Sequence, residues 1–127
     1  MVKALEGARK AARRAQEATY EGFCTIVEYR TVRDEKTKLS EEKEMVVEES
    51  LPCKLSFEKL NAASQTETAT AVFQGVKLFL APEVRVSSGS KLVVTQNGVT
   101  EGYCASGKPA IYPTHQEIIL ELFERWT

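Results

Sequence analysis

The sequence predicts a mainly β fold: a small β-barrel of about six strands with an N-terminal helix or arm. Apolar residues alternate with a period of two in several runs, and turn-forming residues separate these runs. No helical segments alternate with them, which argues against a parallel α/β sheet. A chain of 127 residues is long enough for one domain with its own core. We expect residues 1–18 to form the helix or arm and residues 19–127 to form the barrel domain.

The N-terminal segment, residues 3–18, is rich in Ala, Arg, Lys and Glu, which favour an α-helix. Its apolar positions recur at helical spacing but are mostly small: Leu5, Ala8, Ala12 and Ala15. Alanine buries little area, so such a helix is weakly anchored. Residues 1–17 carry five basic and two acidic side chains, a net charge of +3. Two interpretations stay open: a solvated or frayed arm, and a helix that docks on a neighbouring subunit or an acidic partner.

A long hairpin is predicted next. From Glu21 the apolar pattern has a period of two, which predicts a strand of about ten residues. The charged stretch from Arg33 to Lys38 predicts a turn, and Glu44 to Phe57 predicts the returning strand. Pro52 lacks an N–H group, which favours an edge position or a bulge. Residues 34–49 carry seven acidic and three basic side chains, so the tip of this hairpin has a net charge of −4.

The second half of the chain predicts a long loop and then the remaining strands. Residues 58–69 are small and polar without a period, and loops of this length are usually functional or disordered. Asn97-Gly98 predicts a hairpin turn because both residues tolerate positive φ. The predicted strands of this half are Thr70 to Leu80, a short piece at Val84 to Val86, Lys91 to Thr95, Val99 to Ala105 and His115 to Phe123.

Residues that could support catalysis or metal binding are few. The three cysteines, Cys24, Cys53 and Cys104, are widely spaced and lie in predicted strands, so we expect buried free thiols, consistent with a reducing cytoplasm. One histidine, His115, lies close to Glu117; it is either a general base or, as we expect, a strand-start residue that hydrogen-bonds its neighbours. We therefore expect no enzyme activity, metal or cofactor. Neither a signal-peptide core nor a membrane span is evident, so a soluble cytoplasmic protein is expected.

Nucleic-acid binding is an alternative, because a small barrel of this kind resembles an OB fold. Such sites combine a basic groove with exposed aromatic side chains. Here 17 basic residues balance 18 acidic ones, and the basic residues cluster in the N-terminal segment. The aromatic residues mostly fall at alternating strand positions, where core packing is the expected use. An OB-like module is therefore kept as the second hypothesis.

Several short stretches carry a resemblance to a known family. They are GSKLVVTQNG at 89–98, Tyr103, SGKPAIY at 106–112, THQEI at 114–118, LELF at 120–123, and the region from Gln16 through Cys24 to Ser56. Together they resemble minor capsid, or head–tail connector, proteins of tailed bacteriophages and prophages. The resemblance implies a head-closure or stopper protein: a small β-barrel whose copies form a ring beneath the portal and adaptor. Such a ring seals packaged DNA in the capsid and provides a platform for the tail, and the family has no catalytic residues.

The resemblance and the charge pattern together give candidate sites and partners. Opposite local charges suggest a subunit interface at Arg9, Arg13, Arg14, Glu41, Glu42 and Glu44. The resemblance also implies that the loop after the second strand projects into the central channel of the ring. The candidate residues of this loop are Glu58, Lys59, Asn61, Ser64, Gln65 and Thr66. Implied partners are other copies of the chain, portal, adaptor and tail proteins, with packaged DNA as a further candidate and no membrane. The implied location is the virion head–tail interface, after assembly in the host cytoplasm. A related phage ring protein, such as a tail terminator, is a further alternative.

Overall fold

The computed structural model describes residues 2–59 and 74–126. Within them the chain forms one helix followed by seven strands. The elements are α1 Val2–Glu17, β1 Gly22–Arg33, β2 Ser40–Lys59, β3 Gln74–Leu80, β4 Lys91–Gln96, β5 Val99–Ala105, β6 Ala110–Ile111 and β7 Gln116–Leu122. The piece predicted at Val84 to Val86 is not a strand, and the seventh strand is instead the two-residue β6.

The strands form one antiparallel sheet in the order β3-β2-β1-β4-β5-β7-β6. An additional pairing of β3 with β7 closes six of these strands into a barrel-like ring, and β6 lies outside it on β7. The mainly β prediction with an N-terminal helix is therefore confirmed. The predicted turn at Asn97-Gly98 is also confirmed, since both residues have positive φ, 53° and 77°.

The core lies inside the closed sheet and consists of alternating strand residues. Its members are Cys24, Ile26, Cys53, Leu55, Leu78, Leu80, Leu92, Val94, Tyr103, Ile118 and Leu120. Each fully buried aliphatic side chain stabilises the fold by roughly 1.5–3 kcal/mol. The prediction of buried thiols is confirmed for Cys24 and Cys53 but is wrong for Cys104, which is half-buried. Because Tyr103 points into the core, the alternation along β5 turns Cys104 outward.

Strand β2 is longer than the sequence predicts at both ends. Its ladder with β3 continues through the pairs Glu58–Gly75 and Lys59–Gln74. Glu58 and Lys59 are therefore strand residues, and the prediction that they lie in a loop is wrong. The ladder continues because Phe57 pairs with Val76 and keeps the two strands in register. The other candidate loop residues, Asn61, Ser64, Gln65 and Thr66, lie outside the described residues.

The hairpin formed by β1 and β2 extends well beyond the closed sheet. Strand β1 pairs with β4 only from Phe23 to Val27, and β3 pairs with β2 only from Cys53 onwards. Beyond these limits the two strands pair only with each other, and we call residues 28–49 the ribbon. A register shift near Ser50, which has a φ of 50°, separates the ribbon from the body. Pro52 lies just past this bulge and just before the β3 ladder begins.

Helix α1 precedes β1 and is largely exposed. Every residue from Val2 to Ala12 is exposed, and no residue of the helix is buried. Among the described residues, its ion pair with the rest of the chain is the one from Arg13 to Glu83, and Arg13 also pairs with Glu17 within the helix. The molecule thus has a closed body and two projections, one helical and one β.

Candidate interaction surfaces

An aromatic clamp holds the base of the ribbon. Trp126 stacks on Tyr29 with ring centroids 5.0 Å apart and an interplanar angle of 10°. The indole Nε1 of Trp126 donates a 3.1 Å hydrogen bond to Glu44 Oε1. Phe123 meets Trp126 edge-on at 4.9 Å, and Lys91 Nζ lies 4.6 Å from the Phe123 ring centroid. The chain after β7 therefore crosses to the ribbon and supports it where it leaves the body.

The three predicted acidic interface residues have different surroundings. Glu44 belongs to the clamp, since its carboxylate also lies 3.8 Å from Lys91 Nζ. Glu41 lies 2.8 Å from Lys43 Nζ. Within the part of the chain that the structure describes, Glu42 has neither an ion pair nor a side-chain hydrogen bond. Among the described residues of β2 within the ribbon, the carboxylates that remain available are therefore Glu42 and, beyond the predicted set, Glu48 and Glu49.

The ribbon also exposes apolar side chains. Met45, Val46 and Val47 are 40%, 54% and 41% exposed, in the middle of a run of glutamates. Leu39, in the turn at the tip, is 69% exposed. An apolar strip with an acidic border is typical of a surface that contacts another protein.

The three predicted basic interface residues of α1 also differ in whether they have a partner within the described chain. Arg13 Nη2 lies 2.5 Å from Glu83 Oε1, and Arg13 Nε lies 3.2 Å from Glu17 Oε2. The hydrogen bond from Arg13 holds the pKa of the Glu83 carboxyl below its usual value, and the bond with Glu83 raises the pKa of Arg13. Arg13 is thus engaged within the chain. Arg9 and Arg14 are exposed and form no ion pair with any described residue.

A cleft of about 190 Å³ opens at the end of the closed sheet near the β4–β5 turn. It is lined by Leu55, Phe57, Val94, Gln96, Asn97, Val99, Glu101 and Tyr103. The Leu55 N–H donates to Gln96 Oε1 at 2.8 Å, and Gln96 Nε2 donates to the Leu55 carbonyl oxygen at 3.2 Å. Strand β1 begins at Gly22, opposite Cys53, so this amide takes the place of a strand residue beside Leu55. A Cβ on Gly22 would approach the Thr95 carbonyl oxygen to 3.0 Å and Gln96 Oε1 to 3.1 Å, so glycine leaves room for both the β4 backbone and the Gln96 amide.

The single histidine is part of a surface network on β7. His115 Nε2 lies 2.7 Å from Glu117 Oε2, and His115 Nδ1 lies 2.8 Å from Thr114 Oγ1. Lys77 Nζ lies 3.2 Å from the other carboxylate oxygen of Glu117. The hydrogen bond from His115, and then that from Lys77, hold the pKa of Glu117 below its usual value. The prediction that His115 hydrogen-bonds its neighbours at the start of a strand is confirmed.

Three further properties concern metal binding, thiol reactivity and membrane-spanning helices. No group of three His, Cys, Asp or Glu side chains among the described residues is arranged to hold a metal ion. Burial raises the pKa of both Cys24 and Cys53 to about 12, so their thiols are unreactive at neutral pH. The searched part of the chain contains no helix with the length and apolar content needed to cross a membrane.

Comparison with known proteins found one distant structural likeness. No family model and no curated protein matches the chain. A solved structure that it resembles is the protein XkdH of the phage-like element PBSX from Bacillus subtilis. The identity is 10% and the TM-score is 0.47, over 82% of this chain and 96% of the other. A likeness at this level carries no argument about what this chain does.

Proposed function

We propose that this protein is a structural component of the head–tail joint of a tailed phage or prophage. Copies assemble as a ring beneath the portal and adaptor, close the DNA-filled capsid and provide the attachment platform for the tail. The observation that carries the proposal is the division of the chain into a closed body and two exposed projections of opposite charge. A ring subunit needs two different surfaces that meet head to tail, and this arrangement supplies them.

The family resemblance supports the proposal through the body of the molecule. The stretch at 89–98 forms β4 and its turn, and Leu92 and Val94 within it are fully buried. The stretches at 114–118 and 120–123 include β7, the strand that closes the sheet and buries Ile118. These two C-terminal stretches therefore build the scaffold, whereas the resembling region 16–56 includes the ribbon, where part of the proposed contacts lies.

The test is binding to phage heads. Purified protein is added to DNA-filled, tail-less heads that carry the portal and adaptor, with portal-free capsids as the control. We expect a ring of copies at the portal vertex in electron-microscopy images, improved DNA retention, and acceptance of tails. A bare portal vertex, or equal binding to portal-free capsids, contradicts the proposal.

A binding assay with a single-stranded oligonucleotide distinguishes this proposal from an OB-like nucleic-acid-binding module. Its basic side chains would have to line a groove with exposed aromatic residues, whereas five of them lie on α1. We expect no tight binding to a single-stranded oligonucleotide. Micromolar binding that weakens steeply as salt is raised would favour the nucleic-acid module.

A further inference from the structure

We propose that the ribbon of one copy is the docking site for α1 of a second copy. The small apolar face of α1 packs along the open edge of β2 at Met45, Val46 and Val47, whose side chains lie on both faces of the strand. The basic residues beside that face pair with glutamates of the ribbon. The contact rests on the proposed ring function and specifies how neighbouring subunits meet.

The ribbon supplies an acidic and apolar surface with no partner in the described chain. Among the described residues, the β2 strand of the ribbon has no neighbour on its outer edge between Ser40 and Pro52, because β3 pairs with β2 only beyond that point. Residues 40–49 contain five glutamates and one lysine, a net charge of −4. The exposed run Met45 to Val47 lies between glutamates on both sides. A partner with an apolar centre and positive charge at its borders would be complementary to this pattern.

Helix α1 has that complementary pattern. Its apolar face is formed by Ala4, Leu5, Ala8, Ala11, Ala12 and Ala15, all of them exposed. Arg9 follows Leu5 by four residues and Arg14 follows Ala11 by three, so one arginine lies beside each border of the face. Alanine side chains are short, which lets the helix approach a strand closely.

The contact is between copies, because the helix is held elsewhere in its own chain. Arg13 ties the last turn of α1 to Glu83, in the segment that follows β3. Among the described residues no hydrogen bond or ion pair joins α1 to the ribbon. Because α1 and the ribbon are different surfaces of the same chain, their contact between two copies is heterologous. Such a contact generates a ring when the rotation between successive subunits adds up to a full turn.

The strength of one such contact is modest. Exposed ion pairs each contribute little, and alanine buries a small area. A single contact therefore leaves the isolated chain mainly monomeric, and a ring forms when a template holds many copies side by side. The carboxylates that are available for pairing, Glu42, Glu48 and Glu49, are separate from Glu44, which the clamp already uses.

The experiment is disulfide trapping between full-length chains. One chain carries Ala8→Cys and the other Val47→Cys, both with Cys104→Ser so that the half-buried native thiol does not interfere. After mixing and mild oxidation, we expect the mixed dimer to exceed either homodimer, and to decrease at 1 M salt because charges are screened there over about 3 Å. The matched control replaces Val47→Cys with Thr100→Cys, an exposed strand position away from the ribbon.

Charge reversal tests the specificity of the trapped contact. Arg9→Glu with Arg14→Glu in the helix donor should lower the mixed dimer by about tenfold, since two attractive pairs become repulsive. Glu42→Arg with Glu48→Arg in the ribbon donor should restore it. The docking proposal is overturned if the amount of mixed dimer equals that of the Thr100→Cys control. It is also overturned if the amount of mixed dimer changes with neither salt nor charge reversal.

The two proposals fail separately. If the protein forms a ring on portal-containing heads but the mixed dimer does not form there or in solution, only the α1–ribbon contact is wrong. If the mixed dimer forms but heads are never bound, the contact stands and the head–tail function is wrong. A circular-dichroism spectrum unchanged by the substitutions establishes that each variant is folded.

Discussion

The closed sheet and the ribbon are made from the same two strands, yet they are stabilised in different ways. Along β1, Cys24 and Ile26 are fully buried, whereas Arg30 and Thr31 are exposed. The closed part is stabilised by its interior and by neighbouring strands on both sides. The ribbon has only its own pairing and the clamp at its base, and a two-stranded hairpin alone is marginally stable in water. One hairpin thus passes from the closed sheet to an exposed ribbon across two neighbouring register shifts, one between Cys24 and Ile26 and one between Ile26 and Val27.

The largest expected effect is in the closed sheet. Ile118→Ala removes a fully buried side chain and should lower the free energy of unfolding by about 2–5 kcal/mol, measured by urea denaturation. The control is Ile119→Ala, the next residue on β7, which is 58% exposed and should change stability by less than about 0.5 kcal/mol. Equal losses for the two variants would contradict the assignment of the inner and outer faces.

The next effect concerns the side chain that bridges the open end of the body. Gln96→Ala leaves the Leu55 N–H and carbonyl without this partner, and we expect a loss of about 1–3 kcal/mol in unfolding free energy. Glu101→Ala, at an exposed position that lines the same cleft, is the control. A stability equal to that of the control would show that water replaces the amide at no cost.

The clamp gives a smaller effect, local to the ribbon. Trp126→Ala removes the stacking on Tyr29 and the hydrogen bond to Glu44, together worth on the order of 1–2 kcal/mol. Hydrogen exchange of ribbon amides should accelerate, while exchange in β4 and β7 stays slow. Glu124→Ala, an exposed residue in the same tail, should leave both unchanged. Acceleration throughout the sheet would mean that body and ribbon unfold together.

The smallest effect is a pH dependence on the outer face of β7. The pKa of Glu117 is lowered in the folded state, so its stabilisation is present above the unfolded pKa and is lost as pH falls through the folded pKa. Glu117→Gln should therefore flatten the decline in stability on acidification. The comparison is between urea midpoints at neutral and acidic pH. An unchanged acid slope would rule out a contribution from this carboxylate.

Sequence patterns predicted the parts of the fold that depend on neighbouring residues. Alternation located β1 and β7, and the Asn97-Gly98 turn located the β4–β5 hairpin, because these signals are local. The clamp could not be predicted, since Tyr29 and Trp126 are distant in sequence and share no period. The closing β3–β7 pairing is equally long-range.

Charge composition predicted the two charged projections, but it did not predict which of their charged side chains have partners within the chain. Glu42 and Glu44 are equivalent in a charge count, yet only Glu44 meets a tryptophan and a lysine. Arg13 and Arg14 are adjacent, yet only Arg13 reaches Glu83. These differences depend on which way each side chain points from its element, and that follows from tertiary packing.

The exposed part of α1 sets a length scale for assembly. Its residues from Val2 to Ala12 extend for about 16 Å at a rise of 1.5 Å per residue. If α1 docks on the ribbon of a second copy as proposed, it spans a gap of that size between the two bodies. The two bodies can then tilt or separate by several ångströms while the helix stays in contact.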